Sequence, residues 1–338
     1  MSAPRDGVAF LAFSEKGAAL AERLRCALGG TVTCTRTVQD FSLSAWTEEA
    51  FAANRALVFV GAVGIAVRAV APYLKSKASD PAVAAVDECA RFVVPVVSGH
   101  LGGANDLARA IAAVSGATAV ITTATDANGV FAVDEWAKRQ NCVVTDSHRI
   151  KAVSAKILAG EPVFVRSAWP VAGKPPKGVG LTNGPEWDVL VDVRRRQGDG
   201  LCLVPQTLVL GVGCRRGTTR EALETAFSNL CREMELWPQS VCGAATIDLK
   251  ADEDGLLAFC EARGWSMTTY SAEELRQAEG TFTASAFVEQ RTGVDNVCER
   301  SAVLAAGGPL LERKHAGGGI TMALAWKPLR LDWRWQDA

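Results

Sequence analysis

The sequence predicts an α/β protein with an N-terminal, mostly parallel sheet covered by helices, an irregular middle segment and a second, smaller α/β domain. Three observations predict it. Short apolar strands alternate with helical patterns over the first 150 residues, as in a parallel sheet buried on both faces. Residues 160–205 turn polar and rich in Gly and Pro, as in Trp169-Pro-Val-Ala-Gly-Lys-Pro-Pro-Lys-Gly, Thr182-Asn-Gly-Pro and Arg194-Arg-Arg-Gln-Gly-Asp-Gly. A new strand–helix alternation starts at Gln206. The expected organisation is therefore 1–150, 151–205 and 206–338.

The elements follow in order. Val8–Phe13 is an apolar strand and Ala18–Leu28 a helix; Val32–Thr35 is a short strand and Trp46–Ala53 a helix. Ala56–Val60 is a strand that runs into Gly61-Ala-Val-Gly64 and a helix. Val83–Val86 and Phe92–Val97 are strands joined by a turn at Asp87 to Arg91. A helix over Asn105 to Val114 places Leu107, Ile111 and Val114 on one face. Ala119–Thr122 is a strand, and the helix Asp134–Gln140 carries Asp134→Lys138 and Glu135→Arg139 pairs four residues apart. In the second half, Leu208–Leu210 and Cys242–Ile247 are strands. Arg220–Leu230, Asp254–Arg263 and Val297–Ala306 are helices, the first opened by the capping pattern Thr218-Thr-Arg-Glu221. Leu310–Lys314 and Thr321–Trp326 form a closing hairpin.

Composition narrows the function classes. The chain has 338 residues, 36 basic and 37 acidic, for a formal net charge of -1. So even a balance gives no whole-chain case for nucleic acid or an anionic membrane. No apolar run reaches the length of a membrane span, and Met-Ser-Ala-Pro-Arg-Asp leads into a strand rather than a signal peptide. The ten cysteines are scattered without C-x-x-C spacing. They read as reduced, mostly buried thiols of a cytoplasmic protein. With no H-E-x-x-H, no paired cysteines and three histidines, no metal site is expected.

Four strand-to-helix junctions carry glycine-rich or polar loops: Gly61–Gly64, Ser98–Asp106, Thr122–Asp126 and Gly211–Thr219. Three come from one sheet, which suggests a crevice along its carboxyl edge; ordinary tight turns are the plainer reading. The richest is Val97-Ser-Gly-His-Leu-Gly-Gly-Ala-Asn-Asp-Leu-Ala108. There glycines let backbone N–H groups approach an anion at a helix N-terminus, and His100 adds a titratable group. Gly61-Ala-Val-Gly64 lacks the dinucleotide G-x-G-x-x-G spacing. Thr122-Thr123-Ala-Thr-Asp126 is either a ligand-facing loop or a solvated turn. Leu210-Gly211-Val-Gly213-Cys-Arg215-Arg216-Gly217 offers N–H donors and two guanidinium forks for carboxylate or phosphate. Lys75 and Lys77 either extend a cationic surface or are solvated. His148 and His315 read as surface residues. Glu299 either pairs with Arg300 or Arg313 or acts as an acid/base.

Taken together, these motifs resemble the CbiG family, the cobalt-precorrin-5A hydrolases of anaerobic cobalamin biosynthesis. The resemblance rests on Gly61-Ala-Val-Gly-Ile-Ala-Val-Arg68, Ala71-Pro-Tyr-Leu-Lys-Ser-Lys77, Asp80-Pro-Ala-Val83, Ser98-Gly-His-Leu-Gly-Gly-Ala-Asn105, Thr122-Thr-Ala-Thr-Asp126 and Phe131-Ala-Val-Asp134. It continues in Leu210-Gly-Val-Gly-Cys-Arg-Arg-Gly217, Thr246-Ile-Asp-Leu-Lys250, Thr292-Gly-Val-Asp-Asn-Val-Cys-Glu-Arg300 and Lys314. Residues 155–205 match weakly. The second half is also similar to the small CobE proteins. Thr246-Ile-Asp departs from the family's Ser-Ile-Asp, and the Lys314-His-Ala-Gly-Gly-Gly-Ile-Thr hairpin is richer in glycine.

The resemblance implies opening of a δ-lactone on a ring-contracted cobalt corrinoid, with a two-carbon unit expelled as acetaldehyde. It implies no separate cofactor, since the cobalt belongs to the substrate, and allows hand-over to neighbouring pathway enzymes. A non-catalytic corrinoid carrier is the competing class; a flavodoxin-like nucleotide module is a third. For the reaction, His100 is expected as general base, with Asp126 and Glu299 the next acid/base candidates. The N–H groups of Gly102 and Gly103 are expected as oxyanion donors, and Arg215, Arg216 and Lys250 as grips on peripheral carboxylates. Gly61, Gly64, Lys75, Lys77, Asn105, Thr122, Thr123, Gly211 and Gly213 are expected to line the crevice.

Overall fold

The computed structural model describes residues 7–76 and 79–335. The chain divides into two compact units, Pro4–Glu135 and Trp136–Ala338.

The first unit is built on six strands: β1 (Val8–Ala12), β2 (Thr31–Cys34), β3 (Ala56–Val60), β4 (Ala82–Val86), β5 (Phe92–Val97) and β6 (Thr118–Ala119), in the order β2-β1-β3-β4-β5-β6. Both faces are buried. Val8, Phe10 and Ala12 pack under α1 (Glu15–Leu28) and α4 (Ala104–Ser115), which contribute Leu20, Leu24, Ala108 and Ile111. Ala9, Leu11 and Phe59 pack on the opposite face under α2 (Leu43–Ala53) and α3 (Val63–Val70), with Phe51 and Ala66. That two-sided burial is why these strands read as unbroken apolar runs.

Strand direction departs from the expected single carboxyl edge. β1 to β4 are parallel, but β5 runs antiparallel to β4 and carries β6 with it. The carboxyl ends of β5 and β6 therefore lie at the edge where β4 begins. The Ser98–Asp106 and Thr122–Asp126 loops share that edge with the segment around Lys75, and Gly61–Gly64 lies at the other. The cause is the Asp87 turn, whose carboxylate accepts the N–H groups of Cys89, Arg91 and Phe92 at 3.0, 2.9 and 2.7 Å. So short a connection joins antiparallel neighbours only.

β6 is also shorter than expected. Thr118 and Val120 donate to the carbonyls of Arg91 and Val93, both at 2.8 Å. The next rung needs an N–H from Pro95, which has none.

The second unit contains two five-stranded sheets. One uses β7 (Cys142–Val144), β8 (Val163–Ser167), β10 (Val179–Leu181), β11 (Val189–Val191) and β12 (Leu201–Pro205), with β9 (Val171–Ala172) in a separate small pairing. Its order is β10-β8-β11-β12-β7, parallel except at β7. The middle segment is thus a short-stranded sheet rather than irregular chain. Its turn-formers occupy the connections, and Val163, Val165, Val189 and Val191 supply a fully buried stripe. α5 (Ala124–Ala127) and α6 (Val133–Arg139) come before β7 in the chain; α7 (Ser147–Leu158) follows it and buries Ile150, Val153 and Ile157. β7 thus precedes, and α7 straddles, the expected boundary at residue 150.

The second sheet is ordered β15-β14-β13-β17-β16, from β13 (Leu208–Cys214), β14 (Val241–Ile247), β15 (Ser266–Tyr270), β16 (Leu310–Gly317) and β17 (Ile320–Trp326). Helices α8 (Arg220–Glu233) and α9 (Asp254–Arg263) bury Leu223, Phe227 and Phe259 on one face. On the other, Ala302 and Ala306 of the helix at Cys298–Ala306 meet Val209 and Ala245.

Candidate functional site

The loop between β5 and α4 is folded tightly onto itself. Ser98 opens it at φ 59° and Gly103 closes it at φ 86°, both left-handed. The first costs strain and the second suits glycine. The N–H of Ala104 donates to Ser98 O at 3.0 Å and that of Asn105 to Gly99 O at 2.9 Å. A Cβ on Gly102 would lie 2.3 Å from Ser98 Cβ, so no larger residue fits there. The fold-back presents His100 toward α5 and α6.

Both imidazole nitrogens meet carboxylates. Nδ1 lies 3.0 Å from Asp134 Oδ1 and Nε2 2.8 Å from Asp126 Oδ2, with Glu135 Oε1 at 3.6 Å from Nε2. The side chains of His100, Asp126 and Glu135 are 9%, 7% and 6% exposed. Arg109 of α4 donates to Asp126 Oδ1 at 2.6 Å and lies 4.0 Å from Glu135. Asn105 donates to Thr123 Oγ1 at 3.0 Å and to Asp126 Oδ2 at 3.2 Å.

Burial opposes a charge on His100. The hydrogen bond and charge of Asp134, with Asp126 and Glu135, outweigh it and push the His100 pKa up to about 9. Burial, together with Asp126 and Asp106, pushes Glu135 up to about 7 against the pull of His100 and Arg109. Where a neutral His100 base was expected, both ring nitrogens stand against carboxylates, an arrangement that favours the protonated imidazole. One of the two expected oxyanion donors is also spent, because the Gly103 N–H donates to His100 O at 3.0 Å.

Of the expected residues, the structure brings His100, Asn105, Thr123 and Asp126 together. Thr122 is exposed beside them. The Lys75 N–H donates to Asp80 at 2.9 Å, and its side chain is exposed; Lys77 lies outside the described residues. Gly61 closes β3 against Phe13 at the opposite sheet edge, and Gly64 sits in open space in α3. Sequence reasoning missed Arg109, Asp134 and Glu135. A signal was present: Phe131-Ala-Val-Asp-Glu-Trp-Ala137 sets two acids in an apolar run, and acids are seldom buried unless paired.

His100, Asp126 and Glu135 each offer one ligand atom, and the three atoms lie within 4.8 Å of one another. The expectation of no metal site rested on ligand spacing along the chain. These residues stand 26 and 9 apart in sequence, and only the fold unites them.

The residues expected in the second half belong to the second unit. Gly211 and Gly213 lie inside β13 rather than in an anion-binding loop. Their missing Cβ atoms admit Cys298 O and Thr321 Oγ1. Arg215 and Arg216 are exposed; Arg216 pairs with Asp252 at 3.3 Å and donates to Leu249 O at 3.1 Å. Lys250 pairs with the buried Glu253 at 3.1 Å, and Glu253 also accepts the Gly217 N–H at 2.6 Å. Glu299 is fully buried and pairs with neither expected arginine. Its oxygens accept from Thr283 N–H, Thr283 Oγ1 and Lys314 N–H at 2.7, 2.8 and 2.7 Å, and Arg300 turns to Asp295. Three donors on one carboxylate mark a fastening between elements. A groove of about 570 Å³ runs between α8 and the β16–β17 hairpin, past Glu221, Asn229, Glu233 and His315. Its lining includes neither arginine nor Lys250.

All ten cysteines are free thiols; Cys34, Cys231, Cys260 and Cys298 are buried, while Cys26 and Cys89 are exposed. No described helix is long and apolar enough to cross a membrane.

The chain is similar to known proteins along most of its length. Three family profiles match in chain order: cobalamin synthesis G N-terminal over residues 45–126, cobalamin biosynthesis central region over 131–196 and cobalamin synthesis G C-terminus over 208–325. The cobalt-precorrin-5A hydrolase of Salmonella typhimurium is 32% identical over 348 residues, covering 94% of this chain and 97% of that protein. The cobalt-precorrin-5A hydrolase of Priestia megaterium is 32% identical over 300 residues, covering 82% and 80%. Among solved structures, CobE, a protein from the cobalamin (vitamin B12) biosynthetic pathway, is 28% identical with a TM-score of 0.34, covering 36% of this chain and 92% of that one. With its N-terminal, central and C-terminal parts all matched, this chain belongs to the cobalamin synthesis G (CbiG) family.

Proposed function

We propose that the chain is a cobalt-precorrin-5A hydrolase and that its reacting centre is the His100 cluster. The observation that carries this is similarity at 32% identity across 94% of the chain to a protein of that name. The buried cluster of His100, Asp126, Asp134, Glu135 and Arg109 supports the placement of the centre, because charged groups held out of water act most strongly on a developing charge.

In the proposed reaction, water adds to the lactone carbonyl and gives a proton to a carboxylate of the cluster. The Gly102 N–H is the donor that meets the tetrahedral oxyanion, and the charge of His100, whose ring nitrogens are held by Asp134 and Asp126, acts on it through space. The acyl–oxygen bond then breaks. The freed alkoxide becomes the carbonyl of acetaldehyde as its carbon–carbon bond to the macrocycle breaks. That electron pair enters the conjugated ring, giving cobalt-precorrin-5B. The scheme needs no redox cofactor, because the macrocycle takes the electrons. The cytoplasm, where thiols stay reduced, is the compartment that suits ten free cysteines. Hand-over of the product to a following corrinoid enzyme completes the reading.

Turnover in ¹⁸O-labelled water tests it. The corrinoid is expected to gain one heavy oxygen and acetaldehyde to form in equal amount. Binding of the corrinoid with no acetaldehyde would establish a carrier instead, and an unlabelled corrinoid product would place cleavage at the alkyl–oxygen bond.

Carboxylate capture in the second unit has its own test. Arg215 is exposed beside Gly319, and Arg216 is held at the surface by Asp252 and the carbonyl of Leu249. Replacing both with Ala is expected to weaken corrinoid binding by about 2 kcal/mol, roughly thirtyfold, with the loss shrinking at high salt. A titration of corrinoid absorbance that shows unchanged affinity removes these residues from the binding surface.

A further inference from the structure

We propose that His100, Asp126 and Glu135 form a binding site for one first-row divalent cation. The ligand atoms are His100 Nε2, Asp126 Oδ2 and Glu135 Oε1. Nε2 stands 2.8 Å from the first carboxylate and 3.6 Å from the second. Ligands about 2.1 Å from one ion lie roughly 3–3.5 Å apart at tetrahedral or octahedral angles, so the imidazole needs little movement relative to either carboxylate to share a centre with it.

Two further features point the same way. First, Nδ1 of His100 lies at hydrogen-bond distance, 3.0 Å, from Asp134. A carboxylate behind a histidine fixes the tautomer that leaves Nε2 free for a metal. Second, Glu135 Oε2 and Asn105 Oδ1 are buried acceptors without hydrogen-bond partners. Leaving such acceptors unsatisfied is costly, and an ion with its own water offers them both charge and donors.

One imidazole and two carboxylates suit zinc, manganese or iron(II) better than magnesium or calcium, which take oxygen alone. Three protein ligands leave a coordination position open to water or to a carbonyl oxygen. If the lactone-hydrolase reading holds, the ion takes over the positive role of His100. It polarises the lactone carbonyl or supplies its bound water as the nucleophile. This catalytic part rests on that reading; ion binding does not.

The test uses the full chain stripped with a chelator and titrated with zinc. The chain has three histidines, His100, His148 and His315, so imidazole nitrogen resonances separate the site from the rest. The expected result is one tight equivalent, with the His100 Nε2 resonance moving to a metal-bound position while Nδ1 stays protonated. Exposed Cys26 and Cys89 do not move that resonance if they capture zinc, and a manganese titration repeats the experiment with a less thiophilic ion. Glu135→Gln preserves shape and is expected to weaken binding at least tenfold; its thermal melt confirms folding. His100 resonances unmoved at saturating zinc and manganese overturn the site, as does a Glu135→Gln protein that binds both ions like the parent. If the ion binds yet the stripped protein turns over at full rate, the catalytic part falls and the lactone-hydrolase reading stands. If the ion binds and no acetaldehyde forms with any metal, the site stands and that reading falls.

Discussion

His100→Ala is expected to lower the single-turnover rate of lactone opening by about 10²–10⁴ while corrinoid affinity changes by less than about threefold. The size follows from what is removed. The imidazole touches Asp126, Asp134 and Glu135 at once. Without it, the carboxylates of Asp126, Asp134 and Glu135 lose the ring they share, and the positive charge that acts on an oxyanion is gone. Part of the loss could come from rearrangement of those acids rather than from chemistry, so the rate is read beside a thermal melt and beside His100→Gln. Glutamine keeps a hydrogen-bond donor and much of the volume but no positive charge. A catalytic role predicts that both variants are slow although His100→Gln melts near the parent. A fold in rate of less than about ten in His100→Ala, below the range for a group in the reaction, would make His100 a brace for the loop and move the reacting centre elsewhere.

Much of the first unit was legible because its strands are short, apolar and buried on both faces. What misled was direction. The turn at Asp87 to Arg91 stands in the sequence, and a connection that short cannot return a chain to a parallel neighbour. Followed through, it places the His100 loop at the edge where β4 begins and separates it from Gly61. Treating every strand-to-helix loop as one crevice overlooked that step.

The site was legible only in part, for a different reason. His100, Asn105 and Asp126 sit in glycine- or threonine-rich loops and drew attention by composition. Asp134 and Glu135 sit on a helix four residues before Lys138 and Arg139, where a surface ion-pair reading was available. Both acids are buried together with Phe131 and Val133, beside which they stand in the chain. Tertiary packing decides that placement, and helix periodicity alone does not report it. The middle segment shows the converse: its strands of three to five residues give too little periodicity to stand out among their turns.

Glycine was the least reliable guide, and two glycines separate its meanings with opposite signs. Gly211 lies in β13, where an added Cβ would sit 1.8 Å from Cys298 O and 2.9 Å from Ala302 Cβ. Both belong to the Cys298–Ala306 helix, and a backbone oxygen cannot turn aside as a side chain can. Gly211→Ala must therefore push that helix off the sheet and open the contact of Ala302 and Ala306 with Val209 and Ala245. The expected cost is about 3 kcal/mol or more, at the upper end for overpacking. It is read as a fall in melting temperature on the order of 10 °C for a unit of this size. Gly64 lies in α3, exposed, with nothing within 4 Å of a built Cβ. There alanine relieves the helix of its most flexible residue, and Gly64→Ala is expected to stabilise by about 0.5–1 kcal/mol. If Gly64 were needed for a macrocycle to approach the backbone, the same variant would bind corrinoid more weakly while melting higher. Unchanged affinity with a raised melting temperature assigns Gly64 no part in binding. A Gly211→Ala protein that melts like the parent would mean that the helix does not rest on β13 as described, and the packing argument for the second unit would have to be rebuilt from that point.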